Sequence, residues 1–194
     1  MKTLTSDEFV RRSLVAAAPP ERVSEVVAQL IGDKIRIGPI SAGPCEAATA
    51  TAIGVPGEVH AELCDDEMWH QVVTIPIDLA VTVEVAGGIA RFHGPVQVRT
   101  RIRLDIEQPC DIVVQVEEVR ARNIIAAVEA DGPSGRLIGR VGHVDEIVAD
   151  QVLSYVTDLI DSPEFQTALR IDVTALLERA WEADLVISVP AAAG

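Results

Sequence analysis

From Val96 to Gln108 the chain reads VQVRTRIRLDIEQ, and its apolar and polar side chains alternate without interruption. Val96, Val98, Thr100, Ile102, Leu104 and Ile106 point one way, while Gln97, Arg99, Arg101, Arg103, Asp105 and Glu107 point the other. A period of two sustained over this length predicts a β-strand with one covered face. Residues 71–86 repeat the pattern, with Ile75, Ile77, Leu79, Val81, Val83 and Val85 sharing a face. Gly87-Gly88 between them predicts a two-residue hairpin turn, since glycine reaches the positive φ angles such turns need. Under that turn Val85 faces Ala90, Val83 faces Phe92, Leu79 faces Val96, Ile77 faces Val98 and Val73 faces Ile102. A slip of one residue would set apolar against charged side chains, so the pattern selects against it. Gly94-Pro95 predicts a bend, with the proline at an unpaired or edge position.

On either side of this hairpin the periodicity changes. Thr5 to Ala18 reads as a helix, with Thr5 and Glu8 spaced as a capping box. Pro19-Pro20 stops it, and a second helix follows with Val23, Val26, Val27, Leu30 and Ile31 on one stripe and Gly32 as terminator. KIRIGPI, CEAATATAIG and GEVHAEL then read as strands. After the long hairpin, EQPCD turns the chain, and Ile112, Val114 and Val116 match Ile106, Leu104 and Ile102 if the loop is the three residues Gln108 to Cys110. NIIAAVEA predicts a further strand of an antiparallel meander. Helical spacing returns with Val144, Ile147, Val148, Val152, Tyr155, Val156, Leu159 and Ile160. Ser162-Pro163 breaks that helix, and Asp172 caps a last one through Ala183, with Leu176, Leu177, Ala180 and Trp181 along its face. The segment DLVISV is left open between an added strand and a tail. The expected architecture is a single α+β domain over 1–194. N-terminal helices occupy 1–32, an antiparallel sheet 33–132 and C-terminal helices 143–184. Its long, strongly curved antiparallel β-meander is packed against long helices, because strands this long must twist and coil.

Each fully covered Val or Ile contributes roughly 1.5–3 kcal/mol, so the apolar face of the first hairpin is too valuable to leave wet. The stripes on 21–31 and 144–161 are the evident covers. Two readings follow. In one, helices and sheet interdigitate into a dry core. In the other they enclose an aliphatic cavity lined by Ile77, Leu79, Val81 and Val83 of the first long strand and Phe92, Val96, Val98, Ile102 and Leu104 of the second. Val148, Val152 and Tyr155 of the helix would close it. Of the 194 residues 48% are hydrophobic but only 3% aromatic. Such a wall is built of branched aliphatics, which suits an acyl chain or another oily molecule.

The layout from Pro20 to Trp181 resembles the tubular lipid-binding superfamily. That group includes bactericidal/permeability-increasing-like and synaptotagmin-like mitochondrial lipid-binding domains. The likeness rests on the helix ERVSEVVAQLIGDKI, the long hairpin of 71–107 and the helix from Val144. Members wrap a long, highly twisted antiparallel sheet around a long helix and hold lipid in the seam, so the resemblance implies lipid binding. It is a likeness of layout without a diagnostic motif, and no site residue is carried over. Many members are secreted or membrane-tethered, whereas this sequence shows neither signal nor anchor.

Charge narrows the partners. Acidic residues outnumber basic ones 30 to 16, for a formal charge of −14. Binding to phosphate backbones draws on clustered Lys and Arg, so no nucleic-acid partner is expected, and the strip Arg99, Arg101, Arg103 reads as a solvated strand face. No apolar run approaches the roughly 18 residues of a membrane span, so no integral membrane segment is expected. The polar start MKTLTSDEFVRR and the odd count of three cysteines (Cys45, Cys64, Cys110) point to free thiols and a cytoplasmic location.

Candidate chemistry is sparse. HAELCDDEMWH gathers His60, Glu62, Cys64, Asp65, Asp66, Glu67 and His70, types that ligate zinc or iron. The spacing matches no paired-cysteine or HExxH pattern, and a solvated acidic loop is the reading preferred. His93 lies at the Gly-Pro bend on the polar face, and His143 stands beside Asp145 and Glu146, where a helix N-terminus favours acids anyway. Ser134 and Ser154 sit in no nucleophile elbow, and GPSGRLIGRVG lacks a phosphate-binding signature. No catalytic residue, metal or cofactor is implied. The expected role is binding or carrying a hydrophobic, lipid-like small molecule. The alternatives are a cofactor-free cyclase or isomerase acting on an apolar intermediate, which would work by orientation, and an interaction protein with a dry core that forms a homodimer.

Overall fold

Two strands dominate the computed structural model, which describes residues 5–42, 48–64, 70–85, 88–132 and 144–185. β4 runs Gln71–Val85 and β5 runs Gly88–Glu107. Ahead of them come helices α1 (Ser6–Ala17) and α2 (Pro20–Ile31) and strands β1 (Ile35–Ala42), β2 (Ala48–Pro56) and β3 (His60–Leu63). After them come β6 (Asp111–Val116), a single 3₁₀ turn at Ala121–Asn123, β7 (Ile124–Ala126) and β8 (Glu129–Asp131). The described chain closes with α3 (Val144–Ile160), α4 (Pro163–Ala168), β9 (Arg170–Asp172) and α5 (Val173–Glu182). All described strands belong to one antiparallel sheet with the path β1-β2-β4-β5-β6-β9, and it curls into a half-barrel. β5 has 20 residues, about 65 Å if straight, and backbone twist over such a length forces the sheet to coil.

The hairpin register differs from the expected one by two residues. Val83 pairs with Ala90, Val81 with Phe92, Ile77 with Val96 and Ile75 with Val98, and the ladder closes at Val85 and Gly88. Gly88 therefore belongs to β5, while Gly87 lies outside the described residues. An even slip leaves the face of each residue unchanged, so the hydrophobic pattern is satisfied equally by both registers. β5 is buried at every even position from Ala90 to Leu104 apart from the glycine at 94. The β6 register, by contrast, is the expected one: Ile106 pairs with Ile112, Leu104 with Val114 and Ile102 with Val116.

NIIAAVEA does not extend a simple meander. It returns to β5 on the same edge as β6 but further along, as β7 opposite 96–98 and β8 opposite 91–93. The break between them has a local cause. Ala127 N–H donates to Pro95 O at 3.0 Å, and a regular ladder would require Pro95 to return a bond it has no hydrogen to make. Gly94 lets the Ala127 carbonyl press against β5 where any side chain would collide. The freed Val128 N–H is taken by Asp145 Oδ1 of α3 at 3.0 Å. Pro76 does the same on the other long strand. Its carbonyl accepts from Gly57 N–H at 2.8 Å, opposite the gap between β2 and β3. Both prolines sit where the neighbouring strand is interrupted, which is why a central hairpin tolerates them.

The helices are shorter than expected. α3, the longest described, has 17 residues, about 25 Å, well short of the strands it lies against. Thr5 caps α1 by accepting from Glu8 N–H, Gly32 ends α2 with φ 72°, and Asp172 caps α5 by accepting from Ala175 N–H. Ser162-Pro163 does more than stop α3. It starts α4, with Ser162 Oγ accepting from Phe165 N–H at 3.3 Å, and β9 then pairs with β6. Arg170 of β9 bridges Asp111 at 2.7 Å and Glu107 at 2.9 Å. Three residues are too few to show alternation, so β9 left no trace in the pattern. α5 turns Leu176, Leu177 and Trp181 outward rather than onto the sheet. Among the described residues no helix is long and apolar enough to cross a membrane. Only Asp184 and Leu185 of DLVISV are described.

A recess between two helices as the candidate functional site

On the concave side of the sheet, α2 and α3 are anchored at different places. α2 packs chiefly on β3, where Ser24 Oγ accepts from Ala61 N–H at 2.9 Å. α3 packs chiefly on β7 and also reaches β1. β3 and β7 flank opposite edges of the β4–β5 hairpin. Helices anchored in this way leave a gap between them over the sheet, although the strand residues beneath it are buried. No residue of α2 is buried, although Val23, Val27, Leu30 and Ile31 form its apolar stripe. α3 divides along its length. Val148 and Val152 are buried, whereas Tyr155, Val156, Leu159 and Ile160 are only half-covered.

The result is a part-enclosed recess of ≈ 170 Å³. Its floor is Val73, Ile75 and Ile77 of β4 with Val98, Thr100 and Ile102 of β5. One wall is the α2 stripe and the other is the C-terminal half of α3. Val114 and Val116 of β6 and Phe165 and Leu169 beyond α3 close the end. Among the described residues, the only polar side chains lining it are Arg22, Thr100 and Tyr155. Arg22 is held at the surface by Glu25 at 2.9 Å. The Thr100 hydroxyl donates to the Glu117 carbonyl at 3.2 Å. Burial pushes the Tyr155 phenol above its ordinary pKa. Among the described residues the recess holds no carboxylate, histidine, lysine or cysteine in its lining, and its surface is almost entirely apolar. Its volume is close to the ~150 Å³ of an engineered apolar cavity that admits benzene, so it suits about six carbon atoms.

Of the residues expected to line a cavity, Ile77, Val98, Ile102 and Tyr155 border this recess. Leu79, Val81, Phe92, Val96, Val148 and Val152 lie in the dry part of the core, with Val83 packed against it. Leu104 belongs to a separate small cluster with Leu14 and Ala18. The sequence reading treated the α2 stripe as a cover, where the structure makes it a wall. The β6 and α4 contributions were missed altogether, because no periodicity reports how two helices are spaced. Buried Gln71 of β4, which does not line the recess, also carried no signal in the sequence. It is 1% exposed, and its Nε2 donates to the Ala18 carbonyl at 2.6 Å. Its Oε1 has no hydrogen-bond partner among the described residues.

The remaining candidates do not assemble into sites. His70 Nδ1 accepts from Leu104 N–H at 3.1 Å, and His60 is exposed on β3. Asp65, Asp66 and Glu67 lie outside the described residues, as do His143, Cys45 and Ser134. Among the described residues no three His, Cys, Asp or Glu gather as metal ligands. His93 pairs with Asp131 at 2.9 Å in the open. Ser154 is exposed on α3. Neither Cys64 nor Cys110 forms a disulfide among the described residues. A broader, more open groove of ≈ 640 Å³ lies across the opposite face of the sheet, with Arg99, Arg101 and Arg122 set among Glu62 and Glu117. Arg101 grips Glu117 through Nε at 2.8 Å and Nη2 at 2.7 Å, and this holds the Glu117 carboxyl below its ordinary pKa. Arg103 pairs with Asp105 at 3.0 Å, so the basic strip read from the sequence is largely answered by acids. No protein-family model matches the chain, and no curated protein matches it.

Proposed function

We propose that the protein binds a hydrophobic small molecule and holds an aliphatic group of about six carbons in the recess between α2 and α3. The observation that carries this reading is a recess lined almost entirely by Val, Ile, Leu and Ala on the concave side of a curled sheet. Ligand sites of this kind are apolar with few polar groups. Typical drug-sized sites span roughly 300–1,000 Å³, so ≈ 170 Å³ takes a small molecule or the end of a longer chain that emerges at the open side. The helix lying along a curled antiparallel sheet is also the feature behind the layout likeness to tubular lipid-binding domains. A binding role without chemistry is favoured over a cyclase or isomerase, since such an enzyme would bring polar groups to the apolar site.

Native mass spectrometry of the purified protein, with solvent extraction of the same sample, tests the proposal. The expected result is a bound apolar mass, or its appearance after incubation with 1-hexanol. A protein that stays at its bare mass and shows no change in melting temperature at saturating 1-hexanol would end this reading.

A further inference from the structure

The ladder along one edge of β5 is interrupted. β6 ends with Val116 opposite Ile102, and β7 begins with Ile124 opposite Val98. Residues 117–123 therefore stand opposite only 99–101, more chain than an extended connection needs. Part of the surplus is taken up in the 3₁₀ turn Ala121–Asn123. Glu117 is tied down at the gap, its N–H donating to the Arg101 carbonyl at 2.8 Å and its carbonyl accepting from the Thr100 hydroxyl at 3.2 Å. The turn brings Arg122 and Asn123 into the lining of the ≈ 640 Å³ groove on the outer face, alongside Thr74 of β4 and Gln97 and Arg99 of β5.

This groove offers more donors than its own acceptors answer. Arg101 is engaged by Glu117, Arg103 by Asp105 and Arg120 by Glu118. Among the described residues neither Arg99 nor Arg122 makes an ion pair, although Arg122 acts on the Glu117 carboxylate from further off. Glu62 also lines the groove, but it stands on β3, two strands across from β5. Asn123 Oδ1 accepts from Arg120 N–H at 3.0 Å, so its amide hydrogens are left as donors. A guanidinium is a planar fork that fits the paired oxygens of an oxyanion. Two such forks without a carboxylate match a phosphate monoester, which carries about −1.5 to −2 charges near pH 7. We propose that the groove is a second binding site, for a small phosphate monoester held by Arg99 and Arg122 with its apolar part against exposed Ile125. The formal charge of −14 does not forbid it, because exposed charges more than about 8 Å away are largely screened at physiological salt.

Titration calorimetry of the full chain with phenyl phosphate tests the proposal. Phenol is the neutral match, and vesicles containing phosphatidic acid present the same headgroup on a lipid surface. The expected result is saturable binding of phenyl phosphate. Arg99→Gln and Arg122→Gln should each weaken it about tenfold or more, the range of a hydrogen bond to a charged group. Arg91→Gln removes an exposed arginine of the same strand outside the groove and should leave the affinity within about twofold. Arg99→Lys keeps the charge but loses the fork, so it should fall between wild type and Arg99→Gln. Equal weakening by Arg91→Gln would reduce the effect to diffuse surface charge and overturn the inference. Phenyl phosphate binding no tighter than phenol, or binding of the vesicles alone, would overturn it too. None of these outcomes bears on 1-hexanol in the recess, so the two readings fail separately.

Discussion

Replacing Val27 by phenylalanine asks directly whether the space between α2 and α3 is empty. Val27 is half-buried on the wall of the recess. At about 24 cal/mol per Å³ of void, a cavity of ≈ 170 Å³ corresponds to about 4 kcal/mol of packing forgone. That figure is an upper bound here, because one side is open to water. A phenylalanine at position 27 extends into this space, and each methylene-sized group that finds cover adds about 0.8 kcal/mol. Partial filling gives an expected gain of about 1–2 kcal/mol. Val and Phe have similar helix propensities, so α2 itself is not biased. For a chain of this size the gain amounts to a rise in Tm of roughly 2–8 °C. Urea denaturation and thermal melting of the ligand-free protein measure it. Val148→Phe is the control, since Val148 is 5% exposed in the dry part of the core and overpacking there costs about 1–3 kcal/mol. Val27→Phe should also weaken 1-hexanol binding, trading function for stability. If the two substitutions destabilise the protein alike, there is no empty space beside α2 and the reasoning is refuted.

The other expectations concern the frame of the site. Gly94→Ala would bring a Cβ to 2.9 Å from Val128 Cα and 3.0 Å from the Ala127 carbonyl carbon. Both are backbone, so the β7–β8 junction must shift at a cost of about 2–4 kcal/mol, combining overpacking with the strained Ala127–Pro95 hydrogen bond. Gly88→Ala, with nothing within 4 Å, should stay within about 0.5 kcal/mol of wild type, and equal denaturation midpoints for the two variants would contradict the packing described. Acid should uncouple Arg101 from Glu117. Because the folded carboxyl titrates below its ordinary value of 4.5, the stability that the pair contributes is complete above that pH and is lost as pH falls through the lowered value. The stability gap between wild type and Arg101→Met, followed by urea denaturation from about pH 6 to 3, should therefore narrow toward acid. A gap constant across that range would count against the pairing.

Alternation along 71–85 and 88–107 was enough to establish two long strands, which of their side chains turn inward, and the three-residue loop that sets the β6 register. Capping chemistry marked the helix ends at Thr5, Gly32 and Asp172. These features are local: each depends on neighbours within a few residues or on a period of two, and both are written in the order of amino acids. The register of the central hairpin was not, because a shift of two residues preserves every face and costs the pattern nothing. Nor was the split of NIIAAVEA into two strands, which follows from Pro95 lacking a hydrogen and Gly94 lacking a side chain on a different strand. The recess was the least legible feature. The apolar stripes of α2 and α3 could be read, but whether they meet depends on anchors elsewhere, Ser24 on Ala61 for one and Asp145 on Val128 for the other. Burial is a property of distance between elements. Val148 and Tyr155 stand on one helix within two turns of each other, and only tertiary packing makes the first a core residue and the second a wall of the site.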